Sequence, residues 1–388
     1  MEGAAGAVRF DCPQALEKPI VSYHNKKTAN RAAPAKRSGP ARQPNEIACS
    51  SSFVRLAVRM ITPMPTSCPT ASTPDSTPDH ASAAVLAELD AGLRCVTACI
   101  APKFLYDALG SRLFEAICEL PEYYPTRTEA SIFARHGHEM ARAIGPGATL
   151  IDLGAGNCAK AAGLFPLLHP AQYVAIDISA DFLRESIERL QQRFPHIAMT
   201  GLGLDFSNAL HLPDVVRQQR RLFFYPGSSI GNFTPDQARH FLRRARCQCD
   251  DDGGLLIGID LVKDRATLDA AYDDALGVTA AFNLNLLRHV NHLAGADFDV
   301  RQWRHSGAYN AMDNRIEMHL EAREALAVRW RGGARSFERG ERIHTENSYK
   351  YLPAAAVGLL EQSGFQATHV WTDDAGWFAV IHARAIAQ

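Results

Sequence analysis

The run Asp152-Leu-Gly154-Ala-Gly156 is the sharpest local signal for chemistry in the chain. Two closely spaced glycines let a backbone turn tightly and approach a ligand, and Asp152 stands two residues before the first of them. Asp177 ends the next apolar run, where a carboxylate suits paired ribose hydroxyls. Asp205-Phe206 follows a third run, and a carboxylate beside a ring can hold an adenine by hydrogen bond and packing. Together these residues describe a cradle for an adenosine-bearing cofactor.

Such a cradle needs parallel strands to hold it. Short apolar runs at 149–153, 172–177, 196–202, 221–226 and 254–260 predict strands, and the stretches 158–168, 180–192 and 235–247 between them predict helices. This alternation predicts an α/β fold with a doubly wound parallel sheet. Runs 367–373 and 377–385 predict a closing antiparallel hairpin. Residues 261–350 interrupt the alternation with a helical part (267–294) and β-rich segments, which predicts an inserted α+β unit. Before the sheet, Val85, Leu86, Leu89 and Leu93 form one helical stripe, and 102–120 and 126–143 also read as helices. Thr126 is expected to cap the second of these, with Glu129 completing a capping box. This segment is expected to pack on the insert. The organisation is thus 1–80, an N-terminal extension; 81–260, helices plus sheet; 261–350, the insert; and 351–388, a helix and the hairpin.

Composition bounds the partners. Of 388 residues, 46 % are hydrophobic and 21 % charged, enough apolar material for a sizeable core. The net charge of −1 gives no electrostatic reason to expect nucleic acid or an anionic membrane, and no apolar run is long enough to cross a bilayer. The nine cysteines are scattered and lack C-x-x-C spacing, which suits free thiols in a cytoplasmic setting, and no histidine cluster has metal-ligand spacing. Residues 1–80 hold 10 of the 21 prolines and carry +4, while the remainder carries −5. Disorder is expected there, because such a segment cannot bury enough surface to offset its ordering entropy.

The glycine turn also fits G-x-G-x-x-A through Gly154, Gly156 and Ala159, so by itself it leaves a nicotinamide-dependent oxidoreductase open. Asp152, suited to the cationic end of methionine, the closing hairpin and the absence of a second nucleotide-binding half favour S-adenosylmethionine. The longer motifs KFLYDALGSRLFEAICELPEYYPTRTE (103–129), DLGAGNCAK (152–160), FFYPGSSIGNFTP (223–235), AAYDDALGVTAAFN (270–283), NRIEMHL (314–320) and HTENSYKY (344–351) go further. In this order they resemble the histidine-specific methyltransferases of ergothioneine biosynthesis, from about Ile100 to the C-terminus.

That resemblance implies a class I methyltransferase fold, monomeric and metal-free. S-adenosylmethionine would be converted to S-adenosylhomocysteine while the α-amine of L-histidine becomes the trimethyl betaine, hercynine. It places the substrate carboxylate at Tyr123 and Asn232, with Gly227 opening the turn and Tyr272 as a third polar contact. Glu346 and Ser348 fall to the imidazole, Met318 packs on the ring, and Phe114 and Tyr106 close the pocket near the amine. Proton loss from the amine is expected through water near Tyr106 or Tyr272. On the cofactor side it implies Gly154, Lys160, Asp177, Asp205 and Phe206, with Lys160 pairing the methionine carboxylate. A relative acting on another amino acid and a non-catalytic cofactor binder remain the competing readings.

Overall fold

The computed structural model describes residues 83–178, 180–207 and 210–387; the extension at 1–80 lies outside them. In chain order, the described residues begin with helix α1 (Ala83–Arg94), a short strand β1 (Ala98–Cys99), and helices α2 (Ala108–Cys118) and α3 (Tyr124–Ile144). Then β2 (Thr149–Leu153), α4 (Ala159–Leu168), β3 (Gln172–Asp177), α5 (Ala180–Arg193), β4 (Ala198–Gly203), β5 (Arg221–Tyr225), α6 (Pro235–Cys247) and β6 (Gly254–Asp260) alternate. Helices α7 (Arg265–Tyr272) and α8 (Val278–Ala294) follow, then β7 (Trp303–Asn310), β8 (Arg315–Ala322), β9 (Leu326–Trp330), β10 (Gly333–Phe337) and β11 (Arg342–Tyr349). Helix α9 (Pro353–Glu361) and the hairpin β12 (Phe365–Thr372) and β13 (Phe378–Ala385) complete the chain.

The large sheet runs β12-β13-β6-β5-β2-β3-β4, parallel except at β13 and β12. That order is the class I methyltransferase arrangement foreseen from the alternation and the closing hairpin. Side chains alternate across its pleat. Leu222 and Phe224 of β5 join a core with Leu164 and Phe165 of α4 on one face, and Phe223 and Tyr225 join Phe241 and Leu242 of α6 on the other. Burial on both faces explains why these strands read as continuous apolar runs. The order reverses between β2 and β5, so a ligand crevice belongs at the carboxyl ends of those two strands.

A second sheet, β1-β11-β8-β7, and the small β9-β10 hairpin are built mainly from residues after β6. Its core joins Leu89 and Leu93 of α1, Ile117 of α2 and Leu286, Leu287 and Val290 of α8 to Trp303, Met318 and Leu320. The chain leaves the large sheet at Asp260 and returns at Lys350. There Tyr351 N donates to Asp260 O at 3.0 Å and Val262 N to Tyr351 O at 3.1 Å. The buried side chains close the same junction, with Lys350 Nζ 2.8 Å from Asp260 Oδ2 and Lys263 Nζ 2.6 Å from Oδ1. Tyr124 OH adds a 2.7 Å hydrogen bond to Asp260 Oδ2 from α3.

Three local expectations are corrected. The helix expected over 102–120 is broken. A 3-10 turn spans Pro102–Leu105, and α2 starts afresh because the Asp107 carboxylate accepts the Gly110 N–H at 2.6 Å. Helix α3 begins two residues before Thr126, with Pro125 in its first turn, so no capping box forms. Thr126 Oγ1 instead faces Cys118 Sγ at 3.3 Å, and Glu129 is free for another role. The helical part at 267–294 splits at Gly277, whose φ of +75° starts α8 from a left-handed residue.

Replacing Asp260 with Ala leaves two buried lysines without their carboxylate. We expect a loss of about 3–5 kcal/mol in chemical denaturation; an unchanged midpoint would show that the junction does not depend on this charge.

Candidate active site

The residues expected to hold the cofactor gather at the carboxyl ends of β2, β3 and β4. After β2, Gly154 and Gly156 adopt φ of +71° and +52°, and Gly156 N donates to Asp177 Oδ2 at 2.9 Å. The turn is thus braced by the carboxylate at the end of β3. Cys158, where a third glycine would be unsurprising, takes φ +62° at the start of α4 and accepts the strain of a left-handed residue. Beyond β4, Phe206 approaches the turn, since a Cβ on Gly154 would lie 3.9 Å from Phe206 Cζ. Asp205 accepts from Ser207 N at 3.1 Å and from Lys103 Nζ at 3.0 Å, which brings the segment before α2 against the adenine end.

Two cofactor-side expectations change in detail. Asp152 is buried and accepts from Tyr173 OH at 2.8 Å, and burial pushes its carboxyl up to about 7. Tyr173 thus takes up one of its two carboxyl oxygens. Lys160 is half-exposed and donates to Glu129 Oε2 at 2.6 Å. Glu129 in turn accepts Gly227 N–H at 2.7 Å, tying α3, α4 and the turn after β5 together. A Cβ on Gly227 would sit 3.3 Å from Lys160 Nζ, so the glycine keeps that ammonium accessible.

The residues expected to hold the substrate meet between α2, α7 and the second sheet. Aromatic edges connect them: Tyr106 to Phe114 at 5.6 Å, Phe114 to Tyr123 at 6.1 Å and Tyr123 to Tyr272 at 6.0 Å between ring centroids. Tyr272 OH lies 2.8 Å from Ser348 Oγ. On β11, Glu346 is register partner to Met318 of β8, and Ser348 shares its face two residues on. Asn232 ends the 3-10 turn Ser229–Asn232, which presses on β11. There a Cβ on Gly231 would come within 2.8 Å of Tyr349 O, so only glycine permits the approach.

The polar atoms of this pocket are unusually unspent. Glu346 is buried, and among the described residues its carboxylate has neither a hydrogen-bond nor an ion-pair partner. Burial pushes it up to about 7, against the pull of Lys350. The hydroxyls of Tyr106 and Tyr123 donate to nothing among the described residues, and burial holds both phenols well above their usual range. An acceptor and two hydroxyls left unpaired within one cluster of side chains give this place the means to bind a polar ligand.

Sequence reasoning missed four residues that organise the site: Lys350, Asp260, Glu129 and Tyr124. Lys350 follows β11 in the period-2 series Glu346, Ser348, and Asp260 ends a strand as Asp177 does, but nothing local joins the two. Glu129 was hidden by its fit to a capping box.

Residues 85–385 match the family described as "Histidine-specific methyltransferase, SAM-dependent". The chain is 39 % identical over 306 residues to the histidine N-alpha-methyltransferase of Mycolicibacterium smegmatis, covering 77 % of this chain and 94 % of that one. It is 37 % identical over 303 residues to the enzyme of the same name from Mycobacterium tuberculosis, covering 76 % and 94 %. It is also similar to ergothioneine biosynthesis protein 1 of Neurospora crassa, at 32 % identity over 69 % of this chain and 31 % of that longer protein. With a methyltransferase sheet and an adenosine cradle already in place, the chain belongs to the family of S-adenosylmethionine-dependent histidine-specific methyltransferases.

Proposed function

We propose that this protein trimethylates the α-amine of L-histidine to hercynine, and that the residues assembled above divide the work as follows. The observation that carries the reading is the buried, unpartnered Glu346 carboxylate beside the Ser348–Tyr272 hydroxyl pair. An apolar amino acid would leave all three groups desolvated and unpaired, whereas an imidazole offers a nitrogen to each side. Met318 forms the apolar wall next to Glu346.

Tyr123 and Asn232 hold the carboxylate with uncharged donors, which suffices where water is excluded. Fixing the ring and the carboxylate leaves the α-amine facing the turn at Gly227, where the substrate and cofactor halves adjoin. Tyr106 and Phe114 wall the amine, and their ring faces tolerate the cation that accumulates on nitrogen. On the cofactor side, Gly154 and Gly156 give room for close backbone approach, Asp177 suits the ribose, Asp205 and Phe206 suit the adenine, and Lys160 suits the methionine carboxylate. Bound S-adenosylmethionine supplies a sulfonium methyl already activated for in-line transfer to an amine lone pair. The protein therefore acts mainly by positioning and desolvation. No phenol here is acidic enough to act as a phenolate, so the amine proton leaves through water near Tyr106 or Tyr272. Once three methyls are attached the nitrogen has no lone pair, and transfer stops.

Incubating the purified protein with S-adenosylmethionine and a panel of amino acids should give histidine, and no other, with one, two and three added methyl groups by mass spectrometry. Unmodified histidine from protein that binds the cofactor would refute the reading.

Glu346 also sets a trade between stability and binding. Its folded pKa of about 7 lies above the unfolded value near 4.5, so ionising it costs stability as pH rises through that window, and the cost is full above 7. The size is about 3 kcal/mol. Glu346→Gln should therefore melt higher than wild type at pH 8 and equal to it at pH 4.5, while histidine affinity falls at least about tenfold. A variant that binds histidine as tightly as wild type would remove the imidazole role.

A further inference from the structure

Lys350 is fully buried, and all three of its N–H bonds are spent. They go to Asp260 Oδ2 at 2.8 Å, Ser348 Oγ at 2.7 Å and Tyr272 OH at 3.0 Å. The two hydroxyls face each other at 2.8 Å. An ammonium donates and accepts nothing, so each hydroxyl must accept from it. The hydroxyls own two protons between them, and one is used in their mutual hydrogen bond. Whichever of them donates, one O–H remains to meet a ligand. The phenol is the more acidic O–H and donates to the alcohol, so both lone pairs of Ser348 are filled and Ser348 can only donate outward. Two residues before Ser348 on the same face stands Glu346; a ring N–H donated to it favours its ionised form, which can only accept.

We infer that Lys350 is a specificity-determining positioning residue: it fixes the Tyr272–Ser348 pair as a hydrogen-bond donor opposite the acceptor Glu346, so that the site selects a neutral ring with one N–H and one bare nitrogen. This rests on the histidine reading above and extends it to the protonation state and tautomer of the bound ring. Without the cation each hydroxyl regains a lone pair, and the pair can turn either a proton or a lone pair toward the ligand. Asp260 balances the charge of Lys350 and keeps a second cation, Lys263, when Lys350 is neutralised.

The first test uses wild-type protein with S-adenosylhomocysteine and histidine labelled with nitrogen-15 in the ring. Nitrogen NMR of the complex should show one protonated and one bare, hydrogen-bonded nitrogen in a single fixed tautomer. Two protonated nitrogens, or tautomers that average, would overturn the inference. The second test compares dissociation constants for histidine and for β-pyrrolylalanine, which keeps an N–H but has C–H where the bare nitrogen stood. Wild type should prefer histidine by more than about tenfold. Lys350→Met should keep the affinity for S-adenosylhomocysteine yet bring that preference within about threefold, since a donor no longer held outward can turn its proton away from the C–H and its lone pair toward it. A preference unchanged by the substitution would overturn the inference. Wild type that binds S-adenosylhomocysteine but not histidine would instead defeat the functional reading and this inference with it, whereas histidine bound with the wrong nitrogen pattern defeats this inference alone.

Discussion

The buried pair of Asp260 and Lys350 is the constraint on which the arrangement rests. These residues stand where the chain leaves the large sheet and where it returns, and backbone hydrogen bonds between Tyr351, Val262 and Asp260 close the same gap. A long excursion from a sheet can hinge at its two ends. Here the ends are bonded to each other and to Tyr124 of α3, so the second sheet is fixed against the first. The proposed site needs that rigidity, because the residues assigned to the cofactor follow β2, β3 and β4 and those assigned to the imidazole sit on β11. The ion pair stabilises only because its desolvation is offset on every side: Lys263 and Tyr124 bond the same carboxylate, and Ser348 and Tyr272 take the other two N–H bonds of Lys350.

The same economy is absent a few residues away, and the contrast is informative. Around Asp260 every polar atom of the buried ion pair is paired; around Glu346 an acceptor and two phenol hydroxyls are left open. Folding that exposes Glu346 to burial without a partner raises the energy of the free protein, and a ligand N–H relieves it on binding. Selectivity follows from this asymmetry, since a ligand without matching polar atoms gains the apolar contacts of Met318 and Phe114 but leaves the desolvated groups unsatisfied. The fully paired cluster and the open pocket share Lys350, which is how the structural junction and the recognition surface come to be one device.

Much of the fold was legible because both faces of the large sheet are covered. Continuous apolar runs such as 172–177 and 254–260 could only be central strands, and the short interval between the last two runs dictated an antiparallel hairpin. The glycine turn with Asp177 and Asp205 was legible because tight backbone turns admit few residue types. Local signals failed where a tertiary partner outweighed them. Glu129 has the spacing of a capping box, yet Lys160 and the Gly227 N–H bind it more strongly than a helix end would. Lys350 was missed because a lysine after a strand ordinarily points to water, and nothing local reveals that Asp260, ninety residues earlier, waits beside it.

Three tyrosines crowd the place where the amine must lie, and their state constrains the chemistry. Tyr106, Tyr123 and Tyr272 are all held above the usual phenol range by burial, although Lys350 pulls Tyr272 in the other direction. They are therefore neutral hydroxyls throughout the physiological range and cannot accumulate as bases. For a reaction repeated three times this is an advantage. A fixed carboxylate or phenolate next to the nitrogen would form an ion pair with each ammonium product and oppose the proton loss needed before the next transfer. Neutral rings stabilise the cation only weakly, so the intermediate amines can shed a proton to water and turn again toward the cofactor. The carboxyl of Glu346 is assigned to the ring end, where charge does not change during the reaction and where binding, not turnover, requires it.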